Sequence, residues 1–190
     1  MKRILGCILV CALMGGLLAY PAFAAGPFPD VDEAAAYAEA VGVLQNMGIM
    51  QGEPDGNFHP SNKVTRAQMA AIICRVLGEE HDLTFNGTQF LDVPETHWAN
   101  SYVARVASLG IVNGYGDGAF GPEDTVTYAQ ALTMIVRTMG LEENAVMAGG
   151  YPDGYIKVAV ENGLAGEFSA DQNELLTRWQ VAEIVFGVFQ

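Results

Sequence analysis

Cysteine and basic residues are both scarce in this chain of 190 residues, and no nucleotide-binding or hydrolase signature appears in it. Each absence excludes something. Of three cysteines, Cys7 and Cys11 lie in an apolar leader, which leaves Cys74. One thiol closes no internal disulfide, so cross-links do not hold this fold. Cys74 stands between Ile73 and Arg75 in a helical apolar pattern and reads as a small core residue, not a reactive thiol. His59, His81 and His97 share no metal-ligand spacing. There is no G-x-S-x-G, no phosphate loop and no activating neighbour for Cys74. The expectation is a protein that is not an enzyme and takes no cofactor. Asp117–Thr127 hints at a calcium loop. However, the positions that should be acidic after Asp117 are Ala119, Gly121 and Tyr128, and after Asp55 they are Asn57, His59 and Arg66, so a turn is expected instead.

Residues 1–24 read as a signal peptide. Lys2 and Arg3 precede an apolar run from Ile4 to Ala19, and Ala22-Phe23-Ala24 offers a cleavage site. The run is short for a membrane span, and Cys7 and Cys11 come too early for a lipidated cysteine. Past the leader, seven basic residues face 22 acidic ones, a net charge of −15. Such a field repels nucleic acid and anionic membrane.

What is present is a repeat. Residues 28–78 align with residues 90–140 without a gap, and 19 of the 51 positions are identical. "DGNFHPSNKVTRAQ" (Asp55–Gln68) recurs as "DGAFGPEDTVTYAQ" (Asp117–Gln130). A worn third copy follows. Tyr151–Gly163 keeps the spacing of Trp98–Gly110, and "LTRWQ" (Leu176–Gln180) matches "VTRAQ" (Val64–Gln68). This copy lacks the leading Phe-x-Asp and the Asp-Gly-x-Phe-x-Pro turn.

Each unit reads as helix, turn, helix. In the first, Ala34, Tyr37, Ala38, Val41 and Leu44 mark one helical face. Gly48, Gly110 and Gly163 each precede an apolar residue, the pattern of a Schellman ending. Pro60 forces the second helix to start after it. Thr65-x-x-Gln68, Thr127-x-x-Gln130 and Thr177-x-x-Gln180 are capping boxes. One short pair cannot bury its own apolar face, whereas three together can. The expected fold is all-α: three helix-loop-helix repeats in a pseudo-threefold arrangement, with the capped helices as a central three-helix bundle and the third of them most buried. Residues 79–88 and 141–150 read as connectors.

The Phe-x-Asp-Val, Gly-Ile-Val-x-Gly, Asp-Gly-x-Phe-x-Pro and Thr-Arg-Ala-Gln segments, in that order, resemble the S-layer homology domain in its usual set of three modules. The boundaries expected are 25–79, 88–140 and a degenerate 148–190. The resemblance implies an exported bacterial protein held non-covalently at the cell wall. The ligand implied is secondary cell-wall polymer or modified peptidoglycan, bound in grooves between modules near the Thr-Arg-Ala-Glu signature. The alternative is a surface structural or assembly protein that binds another exported protein. This chain departs from the signature: Gln68, Gln130 and Gln180 replace its acid, Tyr128 replaces one arginine, and Ala36 stands where the second copy has Trp98.

The candidate groove residues are therefore Arg66, Arg178, Tyr128, Gln68, Gln130, Gln180, Asp30, Asp92, Trp98 and Tyr151. Arg66 and Arg178 open a helix, where free amides and the dipole favour an anion, and a guanidinium grips carboxylate or phosphate with two hydrogen bonds. The competing reading pairs each arginine with a carboxylate of a neighbouring module, such as Asp30, Asp92 or Asp153. On the anion-grip reading, Arg66→Ala and Arg178→Ala weaken wall binding without unfolding the protein. Trp98 and Tyr151 either stack on sugar or serve packing.

Overall fold

The computed structural model describes residues 28–80 and 87–190; the expected signal peptide and His81 lie outside the described residues. The helices are α1 (Ala38–Asn46), α2 (Arg66–Val76), α3 (Asn100–Ser108), α4 (Tyr128–Thr138), α5 (Glu142–Met147), α6 (Asp153–Glu161) and α7 (Arg178–Phe186), followed by a 3-10 turn at Gly187–Phe189. Among the described residues, extended pairing is limited to isolated bridges: Lys63 with Thr177, Thr65 with Thr125, and Thr127 with Leu175.

The glycine endings form as their pattern requires. Gly48, Gly110 and Gly163 sit at φ of 75°, 74° and 71°. The next residue donates back into the helix each time: Ile49 to Leu44 O, Ile111 to Val106 O, Leu164 to Ala159 O. A left-handed residue with this back-bond takes up carbonyls that the helix end leaves unpaired.

The capped ends are fastened to one another. Val64 N donates to Leu176 O (3.1 Å), Leu176 N to Val126 O (3.0 Å), and Val126 N to Val64 O (2.9 Å), a closed ring of three backbone bonds. All three side chains are fully buried. The first-turn amides continue the exchange. Arg66 N reaches Asp124 O, Tyr128 N reaches Glu174 O, and Arg178 N reaches Asn62 O, at 2.8–2.9 Å. Ala67, Ala129 and Trp179 donate likewise to Pro122, Gln172 and Pro60. A helix start leaves four amides without internal partners. Here the loop of another helix pair supplies two of the acceptors, and the capping box supplies a third for α2 and α4 through Thr65 Oγ1 and Thr127 Oγ1. In the third box, Gln180 Oε1 accepts from both the amide and the hydroxyl of Thr177. Thr65→Ala is expected to lower unfolding free energy by about 1 kcal/mol, read from the urea midpoint.

The outer helices close the assembly. Helix α3 packs on α2, α6 on α4, and α1 returns to α7; α4 also touches both α2 and α7. Three expectations need correction. Ala34 is exposed, in a turn ahead of α1, because Asp32 Oδ1 takes the Ala34 amide and diverts the backbone from helix. The 141–150 connector contains α5, which packs on α6. Helix α7 is no more buried than α2 or α4, since Trp179, Glu183 and Phe186 are only partly covered.

The recurring Phe-x-Asp has a direct structural use. Phe28 stacks on Phe58, and Phe90 meets Phe120, with centroids 5.4 Å apart in both. The carboxylate two residues on then clamps the turn. Asp30 accepts from Phe58 N (2.8 Å) and His59 N (2.7 Å), and Asp92 from Phe120 N (2.8 Å) and Gly121 N (2.7 Å). Gly114 lies so close beneath this clamp that a Cβ would stand 2.6 Å from both Phe90 Cε1 and Ala119 O.

Candidate functional site

The second residue of each capping box crosses into a neighbouring loop. Arg66 is 5% exposed. Its Nε donates to Phe120 O (2.9 Å) and its Nη2 to Asn113 O (3.2 Å), while the guanidinium lies over the Phe120 and Tyr115 rings. Arg178 is 8% exposed and repeats the arrangement. Nε donates to Phe58 O and Nη2 to Gln51 O, both at 2.7 Å, and the plane covers Phe58. Tyr128 does the same with one polar atom. Its hydroxyl donates to Ala165 O (3.3 Å), and its ring meets Phe168 edge-on at 5.8 Å.

These side chains are fasteners between helix pairs, which changes the anion-grip expectation. The first-turn amides beside Arg66 and Arg178 are already spent on carbonyls, and so are two donors of each guanidinium. Burial lowers the pKa of both arginines. Tyr115, Asp124, Tyr151 and Asp92 oppose this at Arg66, as Glu53 and Asp30 do at Arg178. Among the described residues, the close carboxylate contact of these two arginines is Arg178 Nη1 to Glu53 Oε1 at 3.6 Å. Neither Asp30 nor Asp92 is the main partner of an arginine, because each carboxylate is committed to its turn.

Asp124 and Tyr115 complete the surroundings of Arg66, with the Tyr115 hydroxyl donating to Asp124 Oδ2 at 2.9 Å. Burial raises the Tyr115 pKa, with Asp124 adding to the rise. Tyr151 is 60% exposed and Trp98 is 56% exposed, so neither is a core residue. Trp98 stacks on His97, and Tyr151 leans on Tyr155. Gln68, Gln130 and Gln180 turn back onto their threonines, and Gln180 Nε2 also donates to Glu174 Oε1 (2.7 Å).

The structure thus brings Arg66, Asp92 and Tyr151 near one junction and Arg178 and Asp30 near another, with Tyr128 at a third. Residues 27–70 and 89–132 both match the family model described as S-layer homology domain. The chain carries two S-layer homology modules. It is 33% identical over 97% of its length to a cell surface protein of Thermoanaerobacter kivui, of which it covers 24%. It is 32% identical over 87% of its length to a surface layer protein of Brevibacillus choshinensis, covering 15% of that protein. A cellulosome-anchoring protein of Acetivibrio thermocellus is 30% identical over 59% of the chain, which covers 26% of it. The chain therefore spans about a quarter or less of these relatives.

Sequence reasoning missed Arg75 and Arg137. They hold equivalent S-layer homology positions and join the ends of both helices to the next outer helix. Arg75 donates to Ile49 O and Glu80 and sits over Tyr102, while Arg137 donates to Ile111 O and Glu142 and contacts Tyr155. Their identity across the repeat was the available signal.

Proposed function

We propose that this chain attaches an exported protein, or itself, to the bacterial cell wall by binding wall polymer or modified peptidoglycan in grooves at the module junctions. Residues 148–190 act in this reading as a third, divergent module. The closed ring through Val64, Val126 and Leu176 supports that role, since it treats the three capped segments alike. The observation that carries the function is a fixed, buried guanidinium with an exposed aromatic ring within its electrostatic reach. Arg66 lies within electrostatic reach of Tyr151, and Trp98 is the counterpart of Tyr151 in its own module. Exposed tyrosine and tryptophan faces suit sugar rings, and a rigid positive charge beneath selects acidic substituents. The cell-surface, surface-layer and anchoring roles named for the relatives support it.

The net charge of −15 opposes an anionic polymer at long range, and screening confines that opposition to roughly 8 Å at physiological salt. The test is co-sedimentation with purified walls. The protein is expected to pellet with intact walls and to stay in solution with walls stripped of secondary polymer. Equal pelleting with both would move the ligand to peptidoglycan itself, and no pelleting with either would end the reading.

A further inference from the structure

The junction at Tyr128 differs from the other two. Where they hold arginine it holds a phenol, and where the outer helices begin with Trp98 or Tyr151 it has Ala36. The result is a cavity of about 530 Å3, within the roughly 300–1,000 Å3 range of small-molecule sites. Tyr128, Phe168 and Phe186 supply aromatic wall, Glu39, Glu167 and Glu183 supply carboxylates, and among the described residues no lysine, arginine or histidine lines it. The acids come from separate places: Glu39 from α1, Glu167 from the loop after α6, and Glu183 from α7.

We propose that this third groove binds an amino sugar with a free, protonated amine. The aromatic walls match the apolar faces of a pyranose ring and can also meet the ammonium by cation–π contact. The carboxylates supply the complementary charge. Glu183 is partly buried, and burial raises its pKa; a hydrogen bond from the Glu167 amide works against the rise, while the charges of Glu167 and Glu39 add to it. A cation in the groove would offset the like charges of Glu167 and Glu39 and favour the ionised form of Glu183. The two arginine junctions each hold a guanidinium among their carboxylates, which the lining of this groove lacks. One chain thus offers two kinds of groove, and the inference stands whether or not the arginine junctions take wall polymer.

Glucosamine tetramer titrated into the full chain at pH 6.5 by calorimetry tests this. Binding is expected, with N-acetylglucosamine tetramer at least tenfold weaker. Glu167→Gln with Glu183→Gln is expected to weaken glucosamine binding at least tenfold. Glu95→Gln with Glu143→Gln, an equal change of net charge elsewhere, should leave it unchanged. Tyr128→Arg, which puts a cation at the groove wall, should abolish it. Circular dichroism confirms folding of each variant. Absence of binding, equal binding of the two tetramers, or equal loss in both glutamine pairs would overturn the proposal, the last by showing general attraction to an acidic protein.

Discussion

Arg178→Ala is expected to lower the unfolding free energy by about 3–5 kcal/mol. Truncation removes two charge-assisted hydrogen bonds, each worth roughly 1.5–3 kcal/mol, and the cation–π contact with Phe58, and it leaves Phe58 O and Gln51 O short of a donor. The residue joins segments 120 and 127 positions apart in the chain, so its loss also loosens the first module's loop against α7, which the backbone bonds from Arg178 and Trp179 to Asn62 and Pro60 still hold. Urea denaturation followed at 222 nm reads the effect. Arg178→Lys should recover part of it, because the charge stays while the planar fork is lost. A midpoint like the parent's would show that the buried guanidinium is not a fastener. The earlier expectation, that alanine here weakens wall binding and leaves the fold intact, gives way to this one. Burial and occupied donors make Arg178 part of the framework that shapes the groove.

Asp92→Ala is expected to cost about 2–4 kcal/mol, since two backbone amides lose an ionised acceptor. The pH dependence has a defined sign. Burial pushes the Asp92 carboxyl up, but hydrogen bonds from Phe120 and Gly121 outweigh it and hold the group below the ordinary carboxylate range. A depressed folded-state value means the unfolded chain binds the proton first. The stabilisation is therefore present above about pH 4 and is lost as the pH falls through the folded value. The parent should lose more stability than Asp92→Ala between pH 5 and pH 2. Parallel curves for the two proteins would remove Asp92 as the clamp. Asp92→Asn keeps one acceptor oxygen and should fall between them.

The helices were legible because their ends are written in local chemistry. Thr65 and Gln68 cap α2 within four residues, and Gly48 with Ile49 ends α1 within two. The use of Asp30 and Asp92 was not legible. Their partners lie 28 and 29 residues away, and an acid near an arginine signature invites an ion-pair reading. The same holds for Arg66 and Arg178. Sequence marked them as special but gave no means to tell a donor aimed at ligand from one aimed at a carbonyl 47 to 127 residues distant. Exposure of Trp98 and Tyr151 was also beyond the sequence, because an aromatic at a helix start serves packing as readily as binding. The change from Arg to Tyr at position 128 was visible. Its consequence, an acid-lined cavity, depended on Glu39 and Glu183 arriving from opposite ends of the chain.

The most direct measurement is the affinity of purified wall polymer for the parent and for a Trp98→Ala, Tyr151→Ala double variant. Both rings are more than half exposed, so the variant should fold as the parent does by circular dichroism. The junction-groove account predicts at least a tenfold loss of affinity. A folded variant that binds as tightly as the parent would contradict it.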